Sequence, residues 1–270
     1  MLQAILTSVR DLAQREGILY LKIQPPVDRG DMESELLARG FRRSGLEAAP
    51  TATVRVDLRG TPERLLHDMS PTRRRNIRRA ERSDVRVRAG GTEDLPAYYR
   101  TIRATAQRQG FVPYPARYYE QLWRSFSPSG QAMLMLAEHR DRVVASLLLI
   151  AFGDTVLFKM GGWTGEHREL RVNELLHWRA MLSPRDRGFR WYDLEGIAPD
   201  VAIAIRERRA RMSRTYGTTR FKLGFGGCVT LFPPAFDTPC APGLGHGVMW
   251  LSPRAARWQS LMHWTVGRRR

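Results

Sequence analysis

Lysine is scarce in this sequence, although the chain is strongly basic. Of its 44 basic residues only Lys22, Lys159 and Lys222 are lysine, and the other 41 are arginine. Lys222 lies in 218-TTRFKLGFGG-227, between two phenylalanines and before a group of glycines. Because arginine is the usual cation of this chain, a lysine at this place indicates a need for a compact ammonium group.

Cysteine and histidine are also scarce. Cys228 and Cys240 form no Cys-x-x-Cys pair, which argues against a disulfide framework and a zinc site. The spacing Glu174-x-x-His177 is more typical of a helix surface than of a metal site. No Gly-x-Ser-x-Gly nucleophile motif occurs. We therefore expect a cytoplasmic protein without a metal ion or cofactor.

Long apolar segments are absent as well. The longest, 145-ASLLLIAF-152, is far shorter than the roughly 20 residues of a membrane-spanning helix. Arg10 and Asp11 interrupt the first apolar segment, so a signal peptide is not expected. The basic segment 252–270 predicts an amphipathic helix that packs against the protein or contacts an anionic membrane. Peripheral contact with the inner membrane face is thus an alternative to a purely cytoplasmic location.

Positive charge is in excess, with a formal net charge of +17. Such a charge favours polyanionic partners, namely nucleic acid, phosphorylated substrates or an anionic membrane. In 70-SPTRRRNIRRAERSDVRVR-88, Ser70 and Pro71 predict the start of a helix. This cationic helix is expected either to contact tRNA phosphates or to be a solvated linker. Its candidate contact residues are Arg73, Arg74, Arg75, Arg78 and Arg79.

Hydrophobic periodicity predicts a mixed α/β chain. Residues 2–58 read as helix, strand, helix and strand. After residue 90 the pattern predicts two helices, a three-strand meander, and then helix, strand, helix and a strand ending at Lys222. This order is that of the GNAT acyltransferase fold, and residues 2–58 repeat its last four elements. The sequence thus predicts tandem GNAT-like domains, assigned as a partial first domain with the basic helix (1–85), a second domain (86–232) and a C-terminal extension (233–270).

Four motifs in order resemble a known enzyme family. They are 71-PTRRRNIRRAERSDVRV-87, 161-GGW-163 followed by Asn173, 192-YDLEGI-197 and 219-TRFKLGFGG-227. Together they resemble the FemABX family of aminoacyl-tRNA-dependent peptidyltransferases. The resemblance implies transfer of an aminoacyl group from tRNA to the amine of a lipid-linked or UDP-linked peptidoglycan precursor, in a cleft between two domains. The family's phosphate-binding lysine of the first domain has no match, which implies a truncated front, completion by a partner or homo-oligomer, or lost activity.

Lys222 is the leading catalytic candidate. An aminoacyl ester is already activated, so the catalyst mainly aligns the amine and stabilises the oxyanion. Lys222, expected at the end of a strand, would supply the positive charge, and Phe221 would shape the site.

Further candidates would bind the substrate. Arg108 and Arg117 flank a loop between two helices and have the planar donors that suit a diphosphate. Tyr118 and Trp163 would line the peptide cleft, although aromatic residues with such spacing are more often core.

Carboxylates are the remaining candidates. Asp193 and Glu195, two residues apart on a strand, are expected to face the same way. One of them would orient the amine or accept its proton, although Asp193 is expected to hold the turn to Gly196. Asp57, which ends the first-domain strand, has the same two interpretations.

Two other functions remain open. An acetyl-CoA N-acyltransferase needs a Gly-rich turn before the helix that follows the fourth strand. The corresponding segment, 162-GWTGEHRELRVN-173, has no Gly-x-Gly before the helix, which disfavours CoA. The other alternative is an inactive, basic RNA-binding or regulatory relative.

Overall fold

A computed structural model describes residues 2–26, 31–45, 49–207 and 217–240. In chain order its helices and strands are α1 (Leu2–Arg15), β1 (Tyr20–Ile23), α2 (Met32–Ala38), β2 (Arg42–Arg43), β3 (Ala52–Asp57), α3 (Pro62–Asp68), α4 (Pro71–Glu81), β4 (Arg86–Gly90), α5 (Leu95–Gln109), α6 (Ala116–Phe126), β5 (Ala132–His139), β6 (Arg142–Phe152), β7 (Thr155–Trp163), α7 (Val172–Asp186), β8 (Trp191–Gly196), α8 (Pro199–Arg206), α9 (Gly217–Leu223), β9 (Cys228–Leu231) and β10 (Phe236–Pro239). The prediction of a mixed α/β fold is confirmed.

The described residues form two compact units. The larger spans Thr53–Val229, and the smaller contains the residues before and after it. Residues 53–85, assigned from the sequence to the first domain, therefore belong to the larger unit, because β3 lies in its sheet beside β8. The helix expected at 252–270 lies outside the described residues. An incomplete first domain stays a prediction.

The smaller unit is a three-stranded sheet with two helices. β10 lies between β1 and β2 and is antiparallel to both. Leu6, Leu36, Phe41 and Phe236 form its buried core. The 3.6-residue periodicity of α1 brings Leu6 inward, which is why the sequence predicted this helix.

The larger unit is built on a seven-stranded sheet in the order β4-β5-β6-β7-β8-β3-β9. The meander β5-β6-β7 is antiparallel, whereas β7 and β8 run parallel. Pairing between β7 and β8 ends at Leu157 and Asp193, although β7 continues to Trp163 and β8 to Gly196. The sheet therefore opens between these two strands.

Helix α5 packs directly on β7 beside this opening. A side chain at Gly162 would clash with the backbone of Thr101 and Ile102 in α5. The Thr101 hydroxyl hydrogen-bonds with the Ser146 hydroxyl of β6 at 2.5 Å. The 161-GGW-163 motif thus lets a helix approach the sheet at close range.

Two sequence predictions are wrong at the level of elements. The strand expected to end at Lys222 is helix α9, in which Phe221 meets Phe225 one turn later at 5.3 Å between ring centroids. This packing outweighs the strand propensity of the Thr and Phe residues. Helix α4 is not purely solvated, because it buries Arg73, Ile77 and Ala80. Its start at Ser70 and Pro71 is as predicted.

Among the described segments, no helix combines the length and the apolar character needed to cross a bilayer.

Candidate active site

A pocket of about 490 Å³ lies within the larger unit, where β7 and β8 separate. Strand β7 lines it from Phe158 to Trp163, and β8 contributes Glu195. Helices α5 and α7 form further walls, and α9 contributes Phe221 and Lys222. Two of the three lysines of the chain, Lys159 and Lys222, therefore line one pocket.

The Lys222 ammonium is held by the end of β8. Its Nζ donates to the carbonyl oxygen of Gly196 at 2.7 Å and to that of Glu195 at 3.3 Å. An ammonium has three N–H donors, so these bonds leave one for a ligand in the pocket. The residue is only 8% exposed, and this burial lowers the pKa of Lys222. The negative charges of Glu195 and Asp193 raise it, but by less.

Glu195 carries the carboxylate of the pocket. Its Oε1 lies 3.6 Å from Nζ of Lys159, which is the extra residue of a bulge in β7. Burial raises the pKa of Glu195, although both nearby lysines act against that shift. Glu195 also has a left-handed backbone with a φ of +60°, which costs a non-glycine residue about 1 kcal/mol or more. A strained, partly buried carboxylate beside a lysine is a candidate proton acceptor.

Asp193 and Glu195 do not act as one pair. Asp193 Oδ1 accepts from the Glu195 backbone N at 2.7 Å and from the Thr53 hydroxyl. The Glu195 side chain instead faces Lys159, because the left-handed residue breaks the alternation of the strand. Burial raises the pKa of Asp193, and these hydrogen bonds oppose the shift. Asp193 thus holds the backbone that in turn holds Lys222.

Arg73 is buried behind the pocket. Its guanidinium donates to the Phe221 carbonyl at 2.9 Å and lies 4.1 Å and 4.5 Å from the ring centroids of Phe221 and Phe225. Glu174 of α7 pairs with it at 3.0 Å and also accepts from Asn76 at 2.9 Å. Arg73 therefore supports the segment that carries Lys222, and the sequence-based assignment of Arg73 to tRNA contact is wrong because the side chain is inaccessible.

The glycines after Lys222 allow close approach of protein backbone. Gly226 has a φ of +81°, and a side chain there would meet the backbone of Asp68. A side chain at Gly227 would lie 2.7 Å from the Arg55 carbonyl oxygen, and one at Gly224 would lie 3.1 Å from the Arg73 guanidinium. The motif thus seats α9 against α3, β3 and Arg73 at once.

Known proteins share this architecture and part of this sequence. The model of the Acetyltransferase (GNAT) domain matches residues 71–201. A lipid II:glycine glycyltransferase of Staphylococcus saprophyticus is 26% identical over 153 residues, which cover 53% of this chain and 37% of that protein. The Staphylococcus aureus enzyme of the same name is 26% identical over 147 residues, which cover 51% of this chain and 35% of that protein. The chain thus matches little more than a third of these relatives.

Solved structures agree in fold. The crystal structure of FemX has a TM-score of 0.73 at 19% identity and covers 87% of this chain and 76% of its own. The chain is thus similar in part of its sequence and in fold to proteins of the FemABX type. The C-terminal domain of a putative lysylphosphatidylglycerol synthetase from Agrobacterium fabrum is also similar, with a TM-score of 0.54 and 12% identity over 90% of this chain and 75% of that domain.

Two predicted substrate-binding residues, Arg108 and Trp163, both line the pocket. The Arg108 guanidinium lies 4.8 Å from the Trp163 ring centroid and donates to the Ala104 carbonyl and the Thr105 hydroxyl. Partial burial lowers the pKa of Arg108. A side chain at Gly165, whose φ is +97°, would lie 2.9 Å from this guanidinium, so the loop after β7 leaves room for the arginine.

Three other predicted residues do not line this pocket. Arg117 is exposed on α6, and Tyr118 stacks on Tyr114 at 4.4 Å and packs on the α5–β5 core. Asp57 pairs with Arg59 at the edge where β8 begins, opposite the end that carries Glu195. Their predicted contact with the substrate therefore finds no support in the pocket.

The remaining arginines of α4 divide into two groups. Arg74 donates to the carbonyls of His67 and Met69 at the end of α3, so part of its hydrogen-bonding capacity is used within the protein. Arg75, Arg78 and Arg79 are exposed and stay candidates for phosphate contact.

The sequence reasoning gave no site role to several pocket residues, among them Lys159, Asn173 and His177. Lys159 was detectable, because it is one of only three lysines. Asn173 and His177 line the pocket from α7, and their positions depend on packing between helix and sheet. Within the part of the chain that the structure describes, no group of three His, Cys, Asp or Glu side chains is arranged for a metal ion.

His177 is a buried, neutral histidine rather than a surface residue. Its ring lies among Phe158, Phe221 and Phe225, and its Nδ1 hydrogen-bonds with the Tyr192 hydroxyl at 2.9 Å. Burial, with the charges of Arg73 and Lys222, lowers the His177 pKa from 6.5 to about 3. The imidazole therefore stays uncharged at neutral pH.

His177 should make the fold sensitive to acid. Below pH 6.5 the unfolded chain protonates this histidine, whereas the folded protein does so only near pH 3. The free energy of unfolding should thus fall by up to about 1.4 kcal/mol per pH unit in this window. Asp193 and Glu195 have raised pKa values, so their protonation increases the free energy of unfolding as the pH falls. The contribution of His177 is therefore measured by comparison with a variant that lacks it. Urea unfolding from pH 7 to pH 4 should show a smaller loss for His177→Gln, and equal losses would contradict this account.

Proposed function

We propose that this protein transfers an aminoacyl group from aminoacyl-tRNA to the amine of a peptidoglycan-precursor peptide. The observation that carries the proposal is the position of the Lys222 ammonium. Two backbone carbonyls hold it, one N–H donor remains for a ligand, and Glu195 lines the same pocket. The relatives named lipid II:glycine glycyltransferases support a peptidoglycan precursor as acceptor.

Two charged groups of the pocket, Lys222 and Glu195, have a place in this reaction. The acceptor amine attacks the ester carbonyl, a C–N bond forms, and the Lys222 N–H stabilises the resulting oxyanion. The Glu195 carboxylate accepts the proton that the amine loses, since its raised pKa makes it a better base than an exposed glutamate. The bond between the carbonyl carbon and the ribose oxygen then breaks, and that oxygen takes the proton held by Glu195 as the tRNA leaves. Phe221 forms one wall of the pocket.

Arg108 is proposed to bind a phosphate group of the precursor. It lines the pocket and is held over Trp163 by hydrogen bonds to its own helix. A preorganised guanidinium loses less conformational entropy when it binds a phosphate.

An acyl-CoA donor fits this pocket less well. A CoA pyrophosphate would be bound by the first backbone N–H groups of the helix after β7, which is α7. Its first turn carries Glu174, and this carboxylate already lies at the helix N-terminus, paired with Arg73. A second anion there would be repelled by Glu174.

A transfer assay tests the proposal directly. The full chain is incubated with tRNAs charged with labelled amino acids and with a lipid-linked or a UDP-linked pentapeptide, and transfer to the peptide is measured. Calorimetry with acetyl-CoA is the second arm. Transfer from at least one charged tRNA is expected. Tight acetyl-CoA binding without tRNA-dependent transfer would contradict the proposal, as would a folded protein that transfers nothing from any charged tRNA.

Glu195→Gln tests the base. In the natural chain the transfer rate should rise with pH as Glu195 loses its proton, and the pKa of Glu195 lies above the usual 4.5. At higher pH the rate should fall as Lys222 loses its proton, and the pKa of Lys222 lies below the usual 10.5. The glutamine variant should lose at least a factor of about 100 in rate. Its pH profile should also lack the acid limb that Glu195 causes, and it should keep the alkaline limb that Lys222 causes. An unchanged pH profile would exclude Glu195 as the base.

A further inference from the structure

The outward side of α4 presents a continuous row of arginines. Arg75, Arg78, Arg79 and Arg82, here called the arginine face, are spaced by three, four and seven residues and are all exposed. Residues with this spacing lie on one side of a helix, over a length of about 10 Å at 1.5 Å per residue. Together with Pro71 and Arg74 they line a shallow groove of about 480 Å³.

These four guanidinium groups have no carboxylate partner among the described residues. The nearby acidic residues are used elsewhere, because Glu81 pairs with Arg179 at 3.4 Å and Asp84 with His139 at 2.9 Å. Arg73, on the inner side of the same helix, is paired with Glu174. Four like charges on one helix face repel one another, so the arginine face is suited to an external polyanion.

The chemistry of the face favours RNA over a membrane. A helix that lies on a bilayer inserts large apolar side chains between the lipids. After Pro71 at its first position, the apolar residues of α4 are Ile77 and Ala80, which are fully buried on its inner side, and its outward side is arginine. Arginine forks match phosphate oxygens two at a time, and a row of them matches a nucleic acid backbone.

Helix α4 also contacts the reaction pocket. Arg73 projects from its inner side and donates to the carbonyl of Phe221, whose ring lines the pocket beside Lys222. One helix thus presents cations outward and supports the catalytic segment inward, so a ligand bound to its outer side is placed close behind that segment.

We propose that the arginine face of α4 is a docking surface for the phosphate backbone of RNA, namely the tRNA part of the donor. The inference rests on the proposed function for the identity of the RNA. The contacts involve phosphates, so the binding is strongly dependent on salt and independent of the amino acid carried.

The test compares two triple variants of the full chain. Arg75→Gln, Arg78→Gln and Arg79→Gln together remove three cations of the face. The matched control, Arg100→Gln, Arg103→Gln and Arg124→Gln, removes three exposed arginines of α5 and α6, so the net charges are equal. Binding of labelled, uncharged tRNA is followed by fluorescence anisotropy from 50 to 300 mM salt, and binding of vesicles containing an anionic phospholipid by co-sedimentation.

The first variant should bind tRNA at least about tenfold more weakly at 100 mM salt. The slope of log K against log salt should fall by about 2 to 3, because each lost phosphate contact removes about 0.7 to 0.9. The control should keep the natural slope. The proposal would be overturned if both variants lost the same tRNA affinity, or if the natural chain did not bind tRNA. It would also be overturned if the first variant lost binding to vesicles but not to tRNA.

The experiment separates this inference from the proposed function. If the natural chain transfers an amino acid and the first variant keeps its tRNA affinity, the docking surface is wrong and the function stands. If the first variant loses tRNA affinity while no charged tRNA serves as a donor, the surface stands as an RNA-binding surface and the transferase function is wrong.

Discussion

Lys222→Met should lower the rate of aminoacyl transfer by a factor of about 100 to 1,000, the usual effect of removing one oxyanion donor. Methionine keeps the length of the side chain and removes the ammonium that β8 holds through two carbonyls. The loss should appear in kcat, because the interaction forms in the transition state. Single-turnover transfer from a charged tRNA measures it, and thermal unfolding shows whether the variant is folded.

Lys159→Met is the matched control for this experiment. It removes the other pocket lysine, which lies 3.6 Å from the Glu195 carboxylate. Because Lys159 lowers the pKa of Glu195, its loss should move the acid limb of the pH profile upward with little effect on the maximal rate. A folded Lys222→Met protein whose maximal rate is no lower than that of Lys159→Met would exclude Lys222 as the oxyanion donor.

Arg73→Met should reduce the free energy of unfolding by about 3 to 5 kcal/mol, because it leaves Glu174 buried without its charge partner. Arg73 is 8% exposed and Glu174 9%. The change also removes the donor to the Phe221 carbonyl and the cation between two phenyl rings. Urea unfolding measures the loss of stability.

Two further variants control the Arg73 experiment. Arg75→Met changes an exposed arginine of the same helix and should alter stability by less than about 0.5 kcal/mol. Arg73→Met combined with Glu174→Gln removes the unpaired charge and keeps an acceptor for Asn76, so it should be more stable than Arg73→Met alone. If Arg73→Met is no less stable than Arg75→Met, the buried ion pair does not support α9.

Much of the larger unit could be predicted from sequence, because its elements carry strong local signals. Helices α5 and α6, the meander β5-β6-β7 and helix α7 follow residue 90 in the predicted order. Their apolar periodicity is long and regular, and periodicity mainly reflects burial. Shorter elements, such as α3 and β9, were missed because they depend on contacts with distant parts of the chain.

The candidate site was predictable only in part. The rarity of lysine identified Lys222, and the same argument applied to Lys159 would have identified a second pocket residue. The spacing of Asp193 and Glu195 predicted that they face alike, but a positive φ at Glu195 separates them. Such a conformation is imposed by hydrogen bonds from Thr53 and Lys222, residues remote in sequence.

The sequence by itself determined the mixed α/β fold, the family motifs and the concentration of arginine on one helix, since each depends on residue type and local spacing. Only the tertiary structure decided which of those arginines are buried. Arg73 and Arg75 are two residues apart in the same run, yet one lies under Phe221 and the other is exposed. The helical repeat points them in different directions, and the position of Glu174 and of the aromatic rings gives the inner one its partners.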